Sequence, residues 1–335
     1  MYLVPNTLVE RLTAKRYAVY SPQDADLAVF VTGCSSGIGR HAALSLAAAG
    51  YHVFATVRKE ADAHSLLQEH QEQFKDAPFL YPVICDVADP QQINQARDHV
   101  SAWLQDETPT TKPRVLMGIV NNAGVAPALN LIEHLDVERD MEPTMLVNLY
   151  AAIRVYQSFL PLLRQSLEKN VPGSPRVINV GSLAGSAARP FRGPYTLSKF
   201  AMEGLTDTIR QELSQENIAV VCISAAYIST TLGQKNVAKT KSSYGENMHH
   251  EDLTDMQKRL FQGLVTAYLH AFDVAPGPEA STQAILEALT SDKPMTRYYP
   301  GTVGKLPGWL VSKVMRLLPV STVDSMAAPL APVKE

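Results

Sequence analysis

Tyr195 and Lys199 stand four residues apart in the run Tyr195-Thr196-Leu197-Ser198-Lys199. On a helix that spacing puts both side chains on one face, a turn from each other. A phenol holds its proton to about pH 10 and is a poor base at neutrality, but a neighbouring ammonium favours the phenolate and brings proton transfer toward the working range. Ser182, thirteen residues before the tyrosine, and Asn148 further upstream add a hydroxyl and an amide. A second group suits phosphate: Thr32-Gly33-Cys34-Ser35-Ser36-Gly37-Ile38-Gly39-Arg40. Its glycines allow a sharp turn and close approach to a pyrophosphate, and free N–H groups at a following helix start would face the phosphates. Taken singly these are weak signals, because tyrosine–lysine pairs occur on many solvated helices and loop Asn or Ser usually caps something.

The elements that must position these groups alternate along the chain. Short apolar runs at Leu27–Thr32, His52–Val57, Phe79–Ile84, Val115–Val120, Arg176–Val180 and Ile218–Ser224 read as strands. Between them lie helical segments at Ile38–Ala49, Ala61–Gln73, Pro90–Gln105, a long one ending near Lys169, and Tyr195–Ser214. Strands apolar enough to be buried on both faces, each followed by a helix, predict an α/β fold with a doubly wound parallel sheet. The glycine loop follows the first strand and opens the first helix, the context a dinucleotide fingerprint requires.

The 335 residues carry 30 Lys+Arg against 33 Asp+Glu, a formal charge of -3 without blocks of like charge, so nucleic acid is not expected as a partner. Cys34, Cys85 and Cys222 form neither a CxxC pair nor a disulfide framework and point to a reducing compartment. Cys34, at a helix start, is read as a small filler rather than a reactive thiolate. The nine histidines have no metal-ligand spacing, His249-His250 included, and no metal is expected. Neither a signal core nor a run of about 18 apolar residues is present.

The glycine loop is spaced TGxxxGxG rather than GxGxxG. Together with Asn121-Asn122-Ala123-Gly124, Asn148, Ser182 and the Tyr195–Lys199 run, in that order, it resembles the short-chain dehydrogenase/reductase family over about Leu27 to Thr230. Softer signals at Val53–Arg58 and Thr296–Leu318 resemble its branch of retinol and 17β-hydroxysteroid dehydrogenases. The resemblance implies a Rossmann fold, proton transfer by Tyr195, a hydrogen bond from Ser182 to the substrate oxygen, and Lys199 on the nicotinamide ribose in a relay through Asn148. It implies a cofactor site of Thr32, Gly33, Ser35, Ser36, Gly37, Ile38 and Gly39, with Asn122, Ala123 and Gly124, Asp86 and Val87 near the adenine, and Thr230 near the carboxamide. Homodimers or homotetramers are implied as well.

Three expectations concern selectivity. At the end of the second strand, where a carboxylate would favour NAD(H), Val57 is followed by Arg58, and a guanidinium can grip a 2′-phosphate; NADP(H) is therefore expected over NAD(H). Ala225-Ala226 stand where the family has Pro-Gly, which leaves nicotinamide placement less defined and a non-catalytic NADP(H)-binding regulator or scaffold open. Few charges near the catalytic motifs point to a lipophilic alcohol or carbonyl, a retinoid, steroid or similar. Arg189 and Arg192 keep an NAD-dependent hydroxy acid dehydrogenase open as an alternative, with Arg192 as carboxylate clamp.

The expected organisation is an extension over 1–26, one domain over 27–301 and an amphipathic tail over 302–335. Within the domain, an insertion at 231–275 contains an amphipathic helix from Glu251 to Phe272 whose apolar face either covers the substrate or joins the core. The tail's Trp309, Leu310, Val314, Leu317 and Leu318, with Lys305, Lys313 and Arg316, either pack on protein or rest on a membrane surface. The expected location is cytoplasmic, or peripheral to a membrane.

Overall fold

A computed structural model describes residues 14–74, 79–106, 112–234 and 253–327. The first thirteen residues, 235–252 of the insertion (including His249-His250 and Glu251) and 328–335 of the tail lie outside the described residues.

The expected alternation is present. β1 (Asp26–Val31), β2 (His52–Val57), β3 (Leu80–Ile84), β4 (Arg114–Asn121), β5 (Arg176–Val180), β6 (Ala219–Ile223) and β7 (Arg297–Tyr298) form one parallel sheet in the order β3-β2-β1-β4-β5-β6-β7. Alternate residues of each strand serve different sides of it. Val29 and Val31 of β1 join one core with Leu46 of α1 (Gly37–Ala48), Leu66 of α2 (Glu60–Gln73) and Ile285 of α7 (Glu279–Thr290). Ala28 and Phe30 join the other, with Ile93 of α3 (Pro90–Gln105), Phe159 of α4 (Val137–Glu168) and Ile209 of α5 (Gly193–Glu212). Phe30 stacks on Phe159 at 4.2 Å between centroids. This two-sided burial explains why the strands read as continuous apolar runs.

α4 is long and apolar enough to cross a membrane by length and composition, yet its Val155, Phe159 and Leu163 are buried in the core against the sheet. It also contains two π turns, Val137–Met141 and Leu146–Tyr150, and the second holds Asn148. Hydropathy periodicity carries no sign of them.

Residues 14–25 cross the edge where the strands begin. Tyr20 is buried and donates to the Ser166 carbonyl, and the Tyr17 ring lies 5.1 Å from the guanidinium of the fully buried Arg176. Burial pulls the Arg176 pKa down to about 10. At the other end of the chain, β8 (Thr302–Val303) and β9 (Leu306–Pro307) form a small hairpin that leads into α8 (Gly308–Leu317) and α9 (Val320–Ala327). The insertion helix, α6 (Asp255–Asp273), starts at a capping box between Thr254 and Gln257.

Strand order reverses between β1 and β4, and in such sheets ligands bind at the carboxyl ends of the strands beside that reversal.

Candidate active site

At that edge a cleft of about 450 Å3 opens, a volume typical of small-molecule sites. The loops after every strand from β1 to β6 contribute to it: Gly33, Arg58, Asp86, Asn122, Ser182 and Thr230 all line it. So do Ser35, Ser36, Gly37, Ile38, Val87, Ala123 and Gly124, and Tyr195 and Lys199 from the first turns of α5.

Three expected site residues sit behind the wall. Thr32 is buried; its Oγ1 accepts from the Asn122 and Ala123 amides at 2.9 and 3.0 Å and so ties the β1 loop to the β4 loop. Gly39 permits a close approach, because a Cβ there would lie 2.3 Å from Asn122 Nδ2 and 2.4 Å from the Gly33 carbonyl oxygen. Asn148 is also buried. Its amide donates to the Val125 carbonyl and to Ser198 Oγ (3.0 and 2.9 Å), and its Oδ1 accepts from the Val125 amide at 2.8 Å. Asn148 therefore holds the loop after β4 against α5, while Lys199 Nζ donates to the Val180 carbonyl at 2.9 Å instead of bonding Asn148 directly.

The β1 loop has the features that a dinucleotide phosphate needs. Gly33 and Gly37 have φ of 73° and 63°, a region that L side chains rarely adopt. Ser36, at the N-cap of α1, makes no side-chain cap, and the first turn holds no acidic residue, so its N–H groups are left for an anion. Cys34 is fully buried with its thiol on the Val31 carbonyl; burial pushes its pKa well above the usual thiol value, which leaves it a filler. Arg58 is exposed at the end of β2 and has no hydrogen-bond partner among the described residues.

Ser182 caps a short helical turn, its Oγ accepting from the Ala184 amide at 3.2 Å. The glycines beside it allow this loop to seat on α5. A Cβ on Gly181 would meet Cys222 Sγ at 2.9 Å, and one on Gly185 would lie 2.6 Å from the Lys199 carbonyl oxygen. Beneath the loop is a buried network. Glu203 Oε1 accepts from Ser224 and Cys222, and Glu203 Oε2 accepts from Arg297 Nε at 2.7 Å. Arg297 also reaches Asp207 at 2.6 Å. Burial and the Glu203 charge push the Cys222 thiol up to about 12, so it stays protonated.

The loop after β6 closes although Pro-Gly is absent. Ala225 N donates to the Ile223 carbonyl and Ala226 N to the Pro300 carbonyl at 2.8 Å, bonds that a proline at either position could not donate. Neither alanine has a positive φ.

The other half of the cleft is apolar, and sequence reasoning missed part of it. Tyr268 and Phe272 of α6 face it beside Tyr227, while Phe261 and Leu264 of the same helix pack with Leu129 and Phe191, so the insertion helix both lines the cleft and joins a core. Val303, Val311 and Met315 of the tail complete the wall. The four-residue spacing of Val311 and Met315 on a helix was the available signal. Arg189 and Arg192 also line this side.

The sequence matches the short chain dehydrogenase family over residues 27–241, and the chain belongs to that family. It is an NAD(P)-dependent oxidoreductase of the kind that acts on alcohols and carbonyls. It is 28% identical to mouse (Mus musculus) retinol dehydrogenase 5, over 92% of this chain and 90% of the relative. It is 26% identical to the mitochondrial D-beta-hydroxybutyrate dehydrogenase of Rattus norvegicus, over 94% of this chain and 87% of that one. Among solved structures, levodione reductase superposes with a TM-score of 0.66 at 19% identity, covering 82% of this chain and 95% of its own, a likeness of fold.

Proposed function

We propose that the protein is an NADP(H)-dependent enzyme interconverting an alcohol and its carbonyl on a substrate with a lipophilic body. The observation that carries this reading is the convergence of Ser182, Tyr195 and Lys199 on the same cleft as the uncapped glycine loop. When bound, the nicotinamide supplies or accepts a hydride. Tyr195 gives a proton to the carbonyl oxygen in reduction and takes it from the hydroxyl in oxidation. Because Ser182 Oγ accepts from the Ala184 amide, its own proton is available to the substrate oxygen. One of the three Lys199 donors is spent on Val180, which leaves two for the ribose and the phenol.

Arg58 supports NADP(H), as a guanidinium free to pair with a 2′-phosphate at a position without a competing carboxylate. The apolar wall from Tyr227 to Met315 supports a retinoid, steroid or similar lipophile. Exposed Tyr150 on α4 with Leu197 and Phe200 on α5 supports a homodimer or homotetramer built on those helices. Exposed Leu317 and Val320, near Lys313 and Arg316, support peripheral membrane contact by an otherwise cytoplasmic protein.

The test is NADPH and NADH oxidation over retinal, steroid ketones, aliphatic aldehydes and oxo acids. Tyr195→Phe is the control, expected to bind cofactor normally and to lose about 10²–10⁴-fold in kcat. Full activity of that variant would remove Tyr195 from the proton transfer.

A further inference from the structure

The apolar half of the cleft contains a cation that no charged group among the described residues neutralises. Arg192 precedes α5 by one residue, and its guanidinium carbon lies 4.8 Å from the centroid of the Tyr195 ring and 5.1 Å from that of Tyr268. The two rings fix the orientation of the guanidinium without cancelling its charge, since a ring face offers a quadrupole and no hydrogen-bond acceptor. Among the described residues Arg192 has neither an ion-pair partner nor a side-chain hydrogen bond, although it lines the cleft.

The charges around it explain why it is left over. Lys199, whose Nζ lies 5.8 Å from the same Tyr195 ring, donates to the Val180 carbonyl. Among the described residues Asp86 is the only carboxylate lining the cleft, and it follows β3, toward the opposite edge of the sheet from the β5 and β6 loops. Arg297 pairs with Glu203 and Arg164 with Glu216, both away from the cleft lining. A planar fork of N–H donors lining the cleft, with no acceptor bonded to it among the described residues, matches a bidentate anion.

We propose that Arg192 binds a carboxylate of the substrate, so that the compound whose carbonyl or alcohol reacts is an oxo or hydroxy acid with an apolar chain. The inference rests on the oxidoreductase reading above and names the substrate class for the same site. Stacking on the Tyr195 ring brings the bound anion close to the reacting oxygen, so the carboxylate lies near the reacting carbon. The remainder of the chain runs along Tyr227, Phe272, Val311 and Met315. A lipophilic wall and an unpaired arginine together describe an amphiphile, and either feature alone would not.

The experiment compares the full-length enzyme with Arg192→Met and Arg192→Lys on aliphatic oxo acids and on the methyl esters of the same acids. The wild type is expected to favour acid over ester in kcat/KM by about ten- to hundredfold. In Arg192→Met that ratio falls to about one, and Arg192→Lys recovers part of it as a point charge without the fork. NADPH affinity and melting temperature, followed in all three proteins, report whether the fold and the cofactor half are intact. Equal rates on acid and ester in the wild type would overturn the proposal. So would a loss of the same factor on both in Arg192→Met, which would make the arginine a support for Tyr195 alone.

A binding arm separates this failure from failure of the oxidoreductase reading. Decanoate and decanamide are titrated calorimetrically into NADP+-loaded protein. Binding of the carboxylate alone, abolished in Arg192→Met, upholds the anion site even if no carbonyl compound is turned over. Equal binding of acid and amide refutes it, whatever the activity screen returns.

Discussion

Replacing Arg297 by Met tests the network beneath the Ser182 loop. Arg297 bridges two carboxylates at 2.7 and 2.6 Å, and its side chain is only 16% exposed, as is 10% of Glu203's. Without the guanidinium, Glu203 keeps the Ser224 and Cys222 donors but no opposing charge, a loss of about 3–5 kcal/mol for a buried ion pair broken on one side. Asp207 is more exposed and retains Arg210 at 2.8 Å, so its share adds at most about 1 kcal/mol after solvent screening. At about 2.1 cal/mol/K of unfolding entropy per residue, about 300 residues turn a loss of about 4 kcal/mol into a fall of about 6 °C in Tm. Chemical denaturation and thermal melting of Arg297→Met, Glu203→Met and the double variant would check it. The double variant is expected to regain most of the loss, because it removes the stranded charge. A single variant within about 1 kcal/mol of wild type, or a double variant showing the sum of both losses, would refute the view that an uncompensated carboxylate dominates.

Two further outcomes follow from the same geometry. Arg58→Ala should weaken NADPH binding by about ten- to hundredfold and leave NADH binding nearly unchanged, read by fluorescence titration; equal losses for both would detach Arg58 from the 2′-phosphate. Burial raises the Asp207 pKa, but hydrogen bonds from Arg297 and Arg210 outweigh it and hold the carboxyl below its ordinary value. Its contribution to stability is thus complete above about pH 4, the unfolded value, and is lost as pH falls through the lower folded value. Urea midpoints measured from pH 6 to pH 3 should fall less steeply in Asp207→Asn than in wild type.

Much of the framework was legible because period-two burial on both sheet faces leaves unbroken apolar runs, and β1 to β6 were readable to within a residue or two. Where the glycine loop and the Tyr195–Lys199 pair fall was legible for a related reason, since short spacings within single elements fix their positions at the cleft. What sequence reasoning missed depends on distant segments meeting. The Ala225-Ala226 loop read as a weakened cofactor contact, yet the Pro300 carbonyl, over seventy residues later, supplies the bond that closes it. The π turn around Asn148, which points its amide to Val125 and Ser198, left no mark in the hydropathy pattern. Val311 and Met315 read as part of a generic amphipathic tail, because amphipathicity reports that a face is covered and not what covers it.

The contribution of α8 to the cleft has a consequence for the order in which the site is made. Chains emerge from the ribosome amino end first, and elements pack as they appear. The glycine loop, Arg58 and the Ser182, Tyr195 and Lys199 side chains all precede the last wall by more than a hundred residues. A nascent chain extending to β7 already holds every residue proposed to bind the dinucleotide, while the wall formed by Val303, Val311 and Met315 is still to come. The groups proposed to hold the dinucleotide are thus made before the helix that walls the proposed substrate side of the cleft, so the two halves of the site need not form together.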